Sequence, residues 1–307
     1  MSGLHKNKLF ETSKIDIQND RLRTYDKDYC WQYSIRLNNL EDDLKLLPST
    51  VDYTKLVVKD FEFKCISDET EKWKAVEFIR RHEWLGDIAS NTTNYFGAYY
   101  NNILAGVITM GNPVAYSKVM GENTKDIERL ISRGACISWS PKCLGSAFIS
   151  WCMKWMVKNT PYRIFSAYSD PAAKELGTIY QSLNFYYLGN TFGSKCKYIS
   201  PYSGKIISDR TFRSRSYYKR YAKDLGIKWG DNWSVGDLVL FENIPDELEA
   251  KIREYGKQLQ MSAERIEIPS KHKYVYVLGA SKLETKRLRR KFESENKIFP
   301  YPKERGK

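Results

Sequence analysis

Residues 94–111 read NYFGAYYNNILAGVITMG. Two β-rich apolar alternations flank Asn101 and Asn102. Asparagine tolerates the backbone that a two-residue hairpin turn requires, so the stretch reads as two antiparallel strands. Before it, LVVKDFEFKCI from Leu56 alternates as a further strand. SDETEKWKAVEFIRRH reads as a helix, with Asp68 and Glu71 forming a capping box and Trp73, Val76, Phe78 and Ile79 on its buried face. After the hairpin, ERLISRGACI is another strand. Three strands therefore run consecutively as a meander. That excludes the strict β-α alternation of a doubly wound nucleotide-binding sheet and predicts a mixed α/β (α+β) sheet flanked by helices.

The pattern continues outward. AFISWCMKWMV is apolar nearly all round and reads as a buried helix against the sheet. YRIFSAYSD is a strand ending at Asp170, ELGTIYQSLNF a short helix, and YYLGNTF a strand. From Gly193 the sequence turns basic and rich in Tyr and Ser. PDELEAKIREYGKQL carries a helical stripe at Leu248, Ile252, Tyr255 and Leu259. HKYVYVLG returns as a strand, and SKLETKRLRRKFE is a basic helix. This divides the chain into an N-terminal extension (1–55), a core (56–192), a basic insertion before the last strand (193–268), and the last strand with a basic C-terminal helix and tail (269–307).

The net charge of +13 is unevenly placed. Residues 193–307 hold 26 Lys and Arg against 15 Asp and Glu, whereas the first 192 hold 24 against 22. A localised basic surface suits a polyanion such as DNA or RNA; on composition alone it equally suits a solvated, soluble surface. The cysteines form no C-x-x-C pair, and the three histidines lie far apart. There is no secretory leader and no run of ~18 apolar residues. The expectation is a reduced, cytoplasmic protein without a membrane anchor.

Tyr180-Gln181-Ser182-Leu183-Asn184-Phe185 resembles the Y-x-x-L-G-F signature of the Gcn5-related N-acetyltransferase (GNAT) fold, with Asn184 where Gly is usual. Both residues accept a left-handed backbone. A closer set is Ser132-Arg133, Pro141-Lys142 with Ser146, SAYSDP, GTIYQSLNFYYLG, KHKYVYVLG and FPYPK. In that order they resemble the Mom family of phage DNA-modification proteins over Lys55 to Lys303. The resemblance implies transfer of a carbamoylmethyl group to the exocyclic N6 amine of adenine in DNA, protecting phage DNA from restriction in the host cytoplasm.

By the same resemblance, Tyr180 is a general acid, Asp170 takes or holds the proton of the amine, and Arg133 clamps the donor. The loop SPKCLGSAF would hold an anionic donor such as acetyl-coenzyme A through Lys142, Gly145 and Ser146, although it is a degraded form of the GNAT pyrophosphate loop. Each has a plainer reading: a packed tyrosine, an Asp-Pro helix cap, a paired strand arginine, a helix start capped by Ser146. His82 and Glu83 follow the first helix, where the GNAT fold lines its acceptor site. His82 is a candidate base, by the family resemblance a metal (iron) ligand, or an ordinary exposed residue at a helix end. Trp84, Tyr95, Tyr168 and Tyr180 are candidate aromatics for a flipped base. DNA contact falls to Arg213, Arg215, Lys219 and Arg220, to Lys271 and Lys273 around the last strand, and to Arg287, Arg289 and Arg290. Two other functions stay open: a coenzyme A-dependent N-acetyltransferase of protein or small-molecule amines, and a non-catalytic nucleic-acid-binding protein.

Overall fold

The computed structural model describes residues 30–89, 91–113, 118–190, 196–236 and 238–303. The chain forms two compact units: Met1–Phe192 with Lys271–Lys307, and Gly193–Ser270. In the first unit, helices α1 (Trp31–Asn38) and α2 (Leu40–Leu44) precede β1 (Glu62–Ile66) and α3 (Glu69–His82). Then come β2 (Thr92–Tyr100), β3 (Ile103–Gly111), β4 (Glu128–Cys136), α4 (Leu144–Asn159), β5 (Ile164–Ser169), α5 (Thr178–Ser182) and β6 (Tyr186–Tyr187). The second unit holds β7 (Cys196–Ile199), β8 (Ile206–Ile207), α6 (Arg215–Asp224), β9 (Ser234–Val235), β10 (Leu238–Val239), α7 (Asp246–Ser262) and β11 (Arg265–Glu267). The first unit is completed by β12 (His272–Val277) and α8 (Lys282–Glu295).

Seven strands form one mixed sheet in the order β1-β2-β3-β4-β5-β12-β6. The β2–β3 hairpin turns on Asn101 (φ 46°) and Asn102 (φ 68°), both left-handed as the Asn-Asn pair predicts. All neighbours are antiparallel except β4 and β5. That parallel pair needs a crossover, which α4 supplies. β4 and β5 pair only from Glu128↔Ile164 to Ile131↔Ala167. At that point β4 carries an extra residue opposite β3, because Thr109 pairs with Arg133 and Met110 with Ile131. Ser132 is the bulged residue, and its hydroxyl is tied to the Thr109 side chain (2.9 Å). A bulge bends and twists its strand, and beyond it β4 and β5 part.

Period-two alternation sends the sheet's apolar side chains to opposite faces. Ile108, Met110, Phe165 and Tyr274 meet α4 through Phe148, Cys152, Met153 and Met156. On the other face Ala105, Val107 and Ala135 meet α3, and Ile164, Val275 and Val277 meet Phe292 of α8.

Four local expectations are corrected. β1 starts at Glu62 rather than Leu56, since residues 53–60 are taken up by two 3₁₀ turns. Trp73 is 63% exposed; α3 buries Ala75, Phe78, Ile79 and His82, a stripe spaced i, i+3, i+4, i+7 that excludes position 73. Asp68 does cap α3 by accepting from Glu71 N (3.0 Å), but the Glu71 carboxylate turns to Lys74 and Tyr99, so the box is half made. The strand expected over 186–192 is only two residues long, and Gly189 (φ 92°) breaks it. The helical pair at Trp31–Leu44 also gives order to part of the expected extension; residues 1–29 lie outside the described residues.

The insertion has its own aromatic core of Phe212, Tyr217, Tyr218, Tyr221, Trp233, Ile244 and Ile252. The α7 stripe reads as expected, with Ile252 buried and Leu248, Tyr255 and Leu259 packed around it. Its charge is not uniformly basic. Residues 193–228 hold 10 Lys and Arg against 2 acids, and residues 229–270 hold 4 against 9. Residues 271–307 hold 12 against 4, so the C-terminal segment carries the same net excess of base as residues 193–228.

Gly177 shows how tightly the region after β5 is packed. Its φ is +68°, and a Cβ there would lie 2.4 Å from Cε2 of Tyr274. Gly177→Ala should cost about 2–4 kcal/mol, from left-handed backbone strain plus overpacking. Urea denaturation would measure it, and a loss under about 1 kcal/mol would contradict the packing argument.

Candidate active site

The end of β5 and the start of α5 are joined by Asp170-Pro171-Ala172-Ala173-Lys174-Glu175-Leu176-Gly177. Asp170 caps a 3₁₀ turn by accepting from Ala172 N (3.0 Å), and Lys174 turns the chain at φ 57°. The turn folds back on itself. Glu175 N donates to Asp170 O (3.2 Å), and Asp170 N donates to Glu175 Oε2 (3.2 Å). Asp170 Oδ2 meets Lys271 Nζ at 3.2 Å. The other Glu175 oxygen accepts from Trp84 Nε1 at 3.1 Å, which links this turn to the end of α3.

At that end Glu83 is buried, and its Oε2 accepts from Leu85 N (2.8 Å) and Gly86 N (3.1 Å). Arg133, just past the bulge, stands with Nε 4.0 Å from Glu83 and donates it to Asp87 O (2.8 Å). The parted ends of β4 and β5 thus gather Glu83, Trp84, Arg133, Asp170, Glu175 and Lys271. Burial pushes the Glu83 carboxyl up to about 7 despite the nearby Arg133 charge. Burial, with the charges of Glu83 and Asp170, likewise lifts Glu175 to about 7.

Tyr180 on α5 packs against Phe185 and Tyr274 (ring centroids 5.3 and 5.5 Å). Burial and then the charges of Glu175 and Glu83 push its phenol well above the usual range. It therefore keeps its proton at neutral pH and can offer it in a hydrogen bond, while burial makes it a weaker acid than a free phenol. Asn184 takes φ 59°, the left-handed backbone expected where the GNAT signature has Gly.

The donor loop is less specialised. Ser146 does not cap α4; its hydroxyl donates to Cys143 O (3.1 Å). At Gly145 a Cβ would lie 3.0 Å from Cδ1 of Ile179, so this glycine lets α4 pack close to α5. Lys142 is exposed, and the first-turn amides of α4 have no side-chain cap. That donor set fits an anionic group.

His82 is corrected as a metal ligand. It is buried, with Nδ1 facing Phe78 O (3.0 Å) and Nε2 facing the Asp43 carboxylate (3.1 Å). With both nitrogens engaged it offers a metal no lone pair. Among the described residues no group of three or more His, Cys, Asp and Glu is placed to hold a metal ion. Asp43 also accepts from Ser138 N (3.0 Å) and Arg81 (3.0 Å). Arg36 donates to Ser138 O (2.9 Å), and Gln32 accepts from Trp84 N (3.2 Å). Residues 32–43 thereby brace both the Glu83-Trp84 corner and the loop before α4.

The expected nucleic-acid contacts separate. Lys273 is corrected: it is 8% exposed, because β12 lies inside the sheet, and its ammonium sits over the Tyr168 ring. Lys271 is committed to Asp170 and belongs to the cluster. Lys219, Arg220, Arg287 and Arg290 are exposed. Arg213 is exposed and pairs with Asp209 (2.8 Å), Arg215 is half-buried, and Arg220 lies over the Tyr202 ring (5.1 Å). Arg289 is half-buried and bonded to Val277 O (3.1 Å). Of the aromatics, Trp84 meets the edge of Trp31 (5.4 Å), whereas Tyr95 belongs to the α3 core. Sequence reasoning missed Glu175 as a functional residue; a lone Glu in DPAAKELG carries no signal. Glu83 carries no sequence signal beyond its place after the first helix, beside His82.

Residues 64–303 match the Mom protein family. The chain belongs to that family. No curated protein matches it. Among solved structures it is similar to a GNAT family acetyltransferase from Elizabethkingia anophelis with acetyl-CoA bound, at 10% identity over 71% of this chain and 99% of that one, TM-score 0.34. It is also similar to a probable acetyltransferase from Staphylococcus epidermidis, at 11% identity over 48% and 93%, TM-score 0.33. No activity follows from likenesses of that size. Among the described residues no helix is long and apolar enough to cross a membrane.

A carboxyl whose pKa is raised on folding costs stability as it ionises. The cost of Glu83 is absent below about pH 4.5, grows as pH rises, and is complete above about 7. Glu83→Gln keeps one oxygen for Leu85 and Gly86. Its stability relative to the parent should improve by about 3 kcal/mol between pH 4.5 and pH 8. Denaturant unfolding at the two pH values measures this, and an equal difference at both would refute it.

Proposed function

We propose that this protein is a transferase that places a small acyl-derived group, carbamoylmethyl by its family, on the exocyclic N6 amine of adenine in DNA, shielding that DNA from restriction. The observation that carries the reading is the meeting of Glu83 and Glu175, both titrating near 7, beside Arg133 and Tyr180 where β4 and β5 part. As the new N–C bond forms, the amine must lose a proton. A carboxyl with a pKa near the working pH is suited to take it. Asp170 spends its oxygens on Ala172 N and Lys271, so it acts by holding Glu175 and Lys271 in place. Arg133 faces developing negative charge, and the Tyr180 phenol, which keeps its proton, stabilises the departing group by hydrogen bonding.

Adenine must leave the stack to reach this site, and Trp84, set edge-on to Trp31, offers an aromatic wall for it. A donor with an anionic group would be held by Lys142 and the amides of Gly145 and Ser146. Direct transfer from acetyl-coenzyme A would leave an N-acetyl amide. The carbamoylmethyl product needs a donor whose methylene carbon is attacked by the amine as its leaving group departs. The exposed bases of the insertion (Arg213, Lys219, Arg220), with the half-buried Arg215, and those of α8 (Arg287, Arg290) suit DNA phosphates.

The test is nucleoside mass spectrometry of DNA from bacteria expressing the soluble protein. The parent should yield a mass-shifted deoxyadenosine, and Glu175→Gln should reduce it by about 10²-fold or more. An unchanged deoxyadenosine profile with the parent would overturn the reading. Acetylation of protein amines with no change in DNA would point to an ordinary N-acetyltransferase instead.

A further inference from the structure

Where β12 ends, Leu278-Gly279-Ala280-Ser281 and the first three turns of α8 enclose an open groove of about 710 Å³. Lys282, Lys286, Arg289 and Arg290 line it, with Tyr186 at its side. Lys282, Lys286 and Arg290 are spaced i, i+4, i+8. They form one row along the helix with a stride of about 6 Å. All three are exposed, and among the described residues none has an acidic partner. The neighbouring charges of α8 are spent elsewhere: Lys291 pairs with Glu122 (2.5 Å), and Glu284 pairs with Arg163 (3.0 Å).

Arg289 is held in place from behind. Its Nε donates to Val277 O (3.1 Å), and its guanidinium sits over the Tyr276 ring (5.4 Å). The one acid in the groove, Glu293, accepts from Tyr186 OH (2.5 Å). Three unpaired cations in a row beside a fixed fourth are suited to successive phosphates of one strand, which no single small anion would use.

We propose that this α8 groove is a second DNA-contact site, which grips backbone phosphates away from the reacting base. The proposal rests on the DNA reading above. The distance follows from β12, whose first residue, His272, pairs with Ser169 beside Asp170. At about 3.3 Å per residue, Val277 lies about 17 Å further along. That is about five base pairs of duplex. The groove therefore engages only DNA that extends past the reacting adenine by that much.

The test uses the full chain and two duplexes, each with a central adenine: one of about 24 base pairs and one of about 8. In the double variant Lys286→Ala, Arg290→Ala, long-duplex affinity should fall by about tenfold or more, and the slope of log affinity against log salt should flatten by about 2. The loss should be much larger on the long duplex than on the short one. Both substitutions are at exposed positions, and an unchanged melting temperature would confirm that the fold is intact. A variant that binds the long duplex with parental affinity and slope would overturn the groove proposal alone. An equal loss on both duplexes would overturn the distance argument, and with it the groove as placed. A parent that binds heparin or anionic vesicles but neither duplex would overturn both the groove and the DNA reading.

Discussion

β4 and β5 share hydrogen bonds only as far as Ile131 and Ala167, and the candidate chemistry lies beyond that point. The cause is one residue. Ser132 is inserted opposite β3 and held there by Thr109, so β4 twists away from its parallel neighbour. The gap receives Arg133 from one strand and the Asp170–Glu175 turn from the other. It also admits the Glu83-Trp84 corner at the end of α3. Arg133 stays paired with Thr109 of β3 but has no partner on β5, where a regular β4 would extend the pairing.

The gap is also electrostatically costly. Two carboxyls are held where burial penalises their charge, and each is only partly compensated, Glu83 by Arg133 and backbone amides, Glu175 by Trp84 and the Asp170 amide. Carboxyls held in this way are concentrated at sites that move protons. The surroundings keep the strain in place. Gln32, Arg36 and Asp43 tie the α3 corner to the loop before α4, and His82 completes that brace rather than serving as a ligand. The C-terminal tail adds support on the far side, where Phe299 N donates to Tyr187 O and Tyr301 OH to Phe185 O.

The basic charge takes a different form from its average. The insertion is split into a basic first part and an acidic second part, and the segment from Lys271 onward carries as much net base as that basic part. α8 keeps its apolar side, with Phe292 fully buried, on the sheet and leaves Lys282, Lys286 and Arg290 unpaired outside. One helix thus closes the core and presents a row of cations to solvent.

The sequence by itself determined the mixed sheet, the Asn101-Asn102 hairpin, the left-handed Asn184 and the insertion before the last strand. These depend on local periodicity and on which residues accept a positive φ, and both are written in short stretches of chain. It also brought out Arg133, Asp170 and Tyr180, through motif resemblance. Only the tertiary structure decided that Glu83 and Glu175 meet, that His82 is a brace, and that Lys273 is buried. The carboxyls are 92 positions apart in the chain, and no local pattern encodes how far each sinks below the surface. Lys273 reads as a surface base until β12 is seen inserted between β5 and β6, which turns an alternating strand into an interior one. Burial and charge proximity are properties of the assembled sheet, and they set the chemistry of side chains whose identities the sequence already gives.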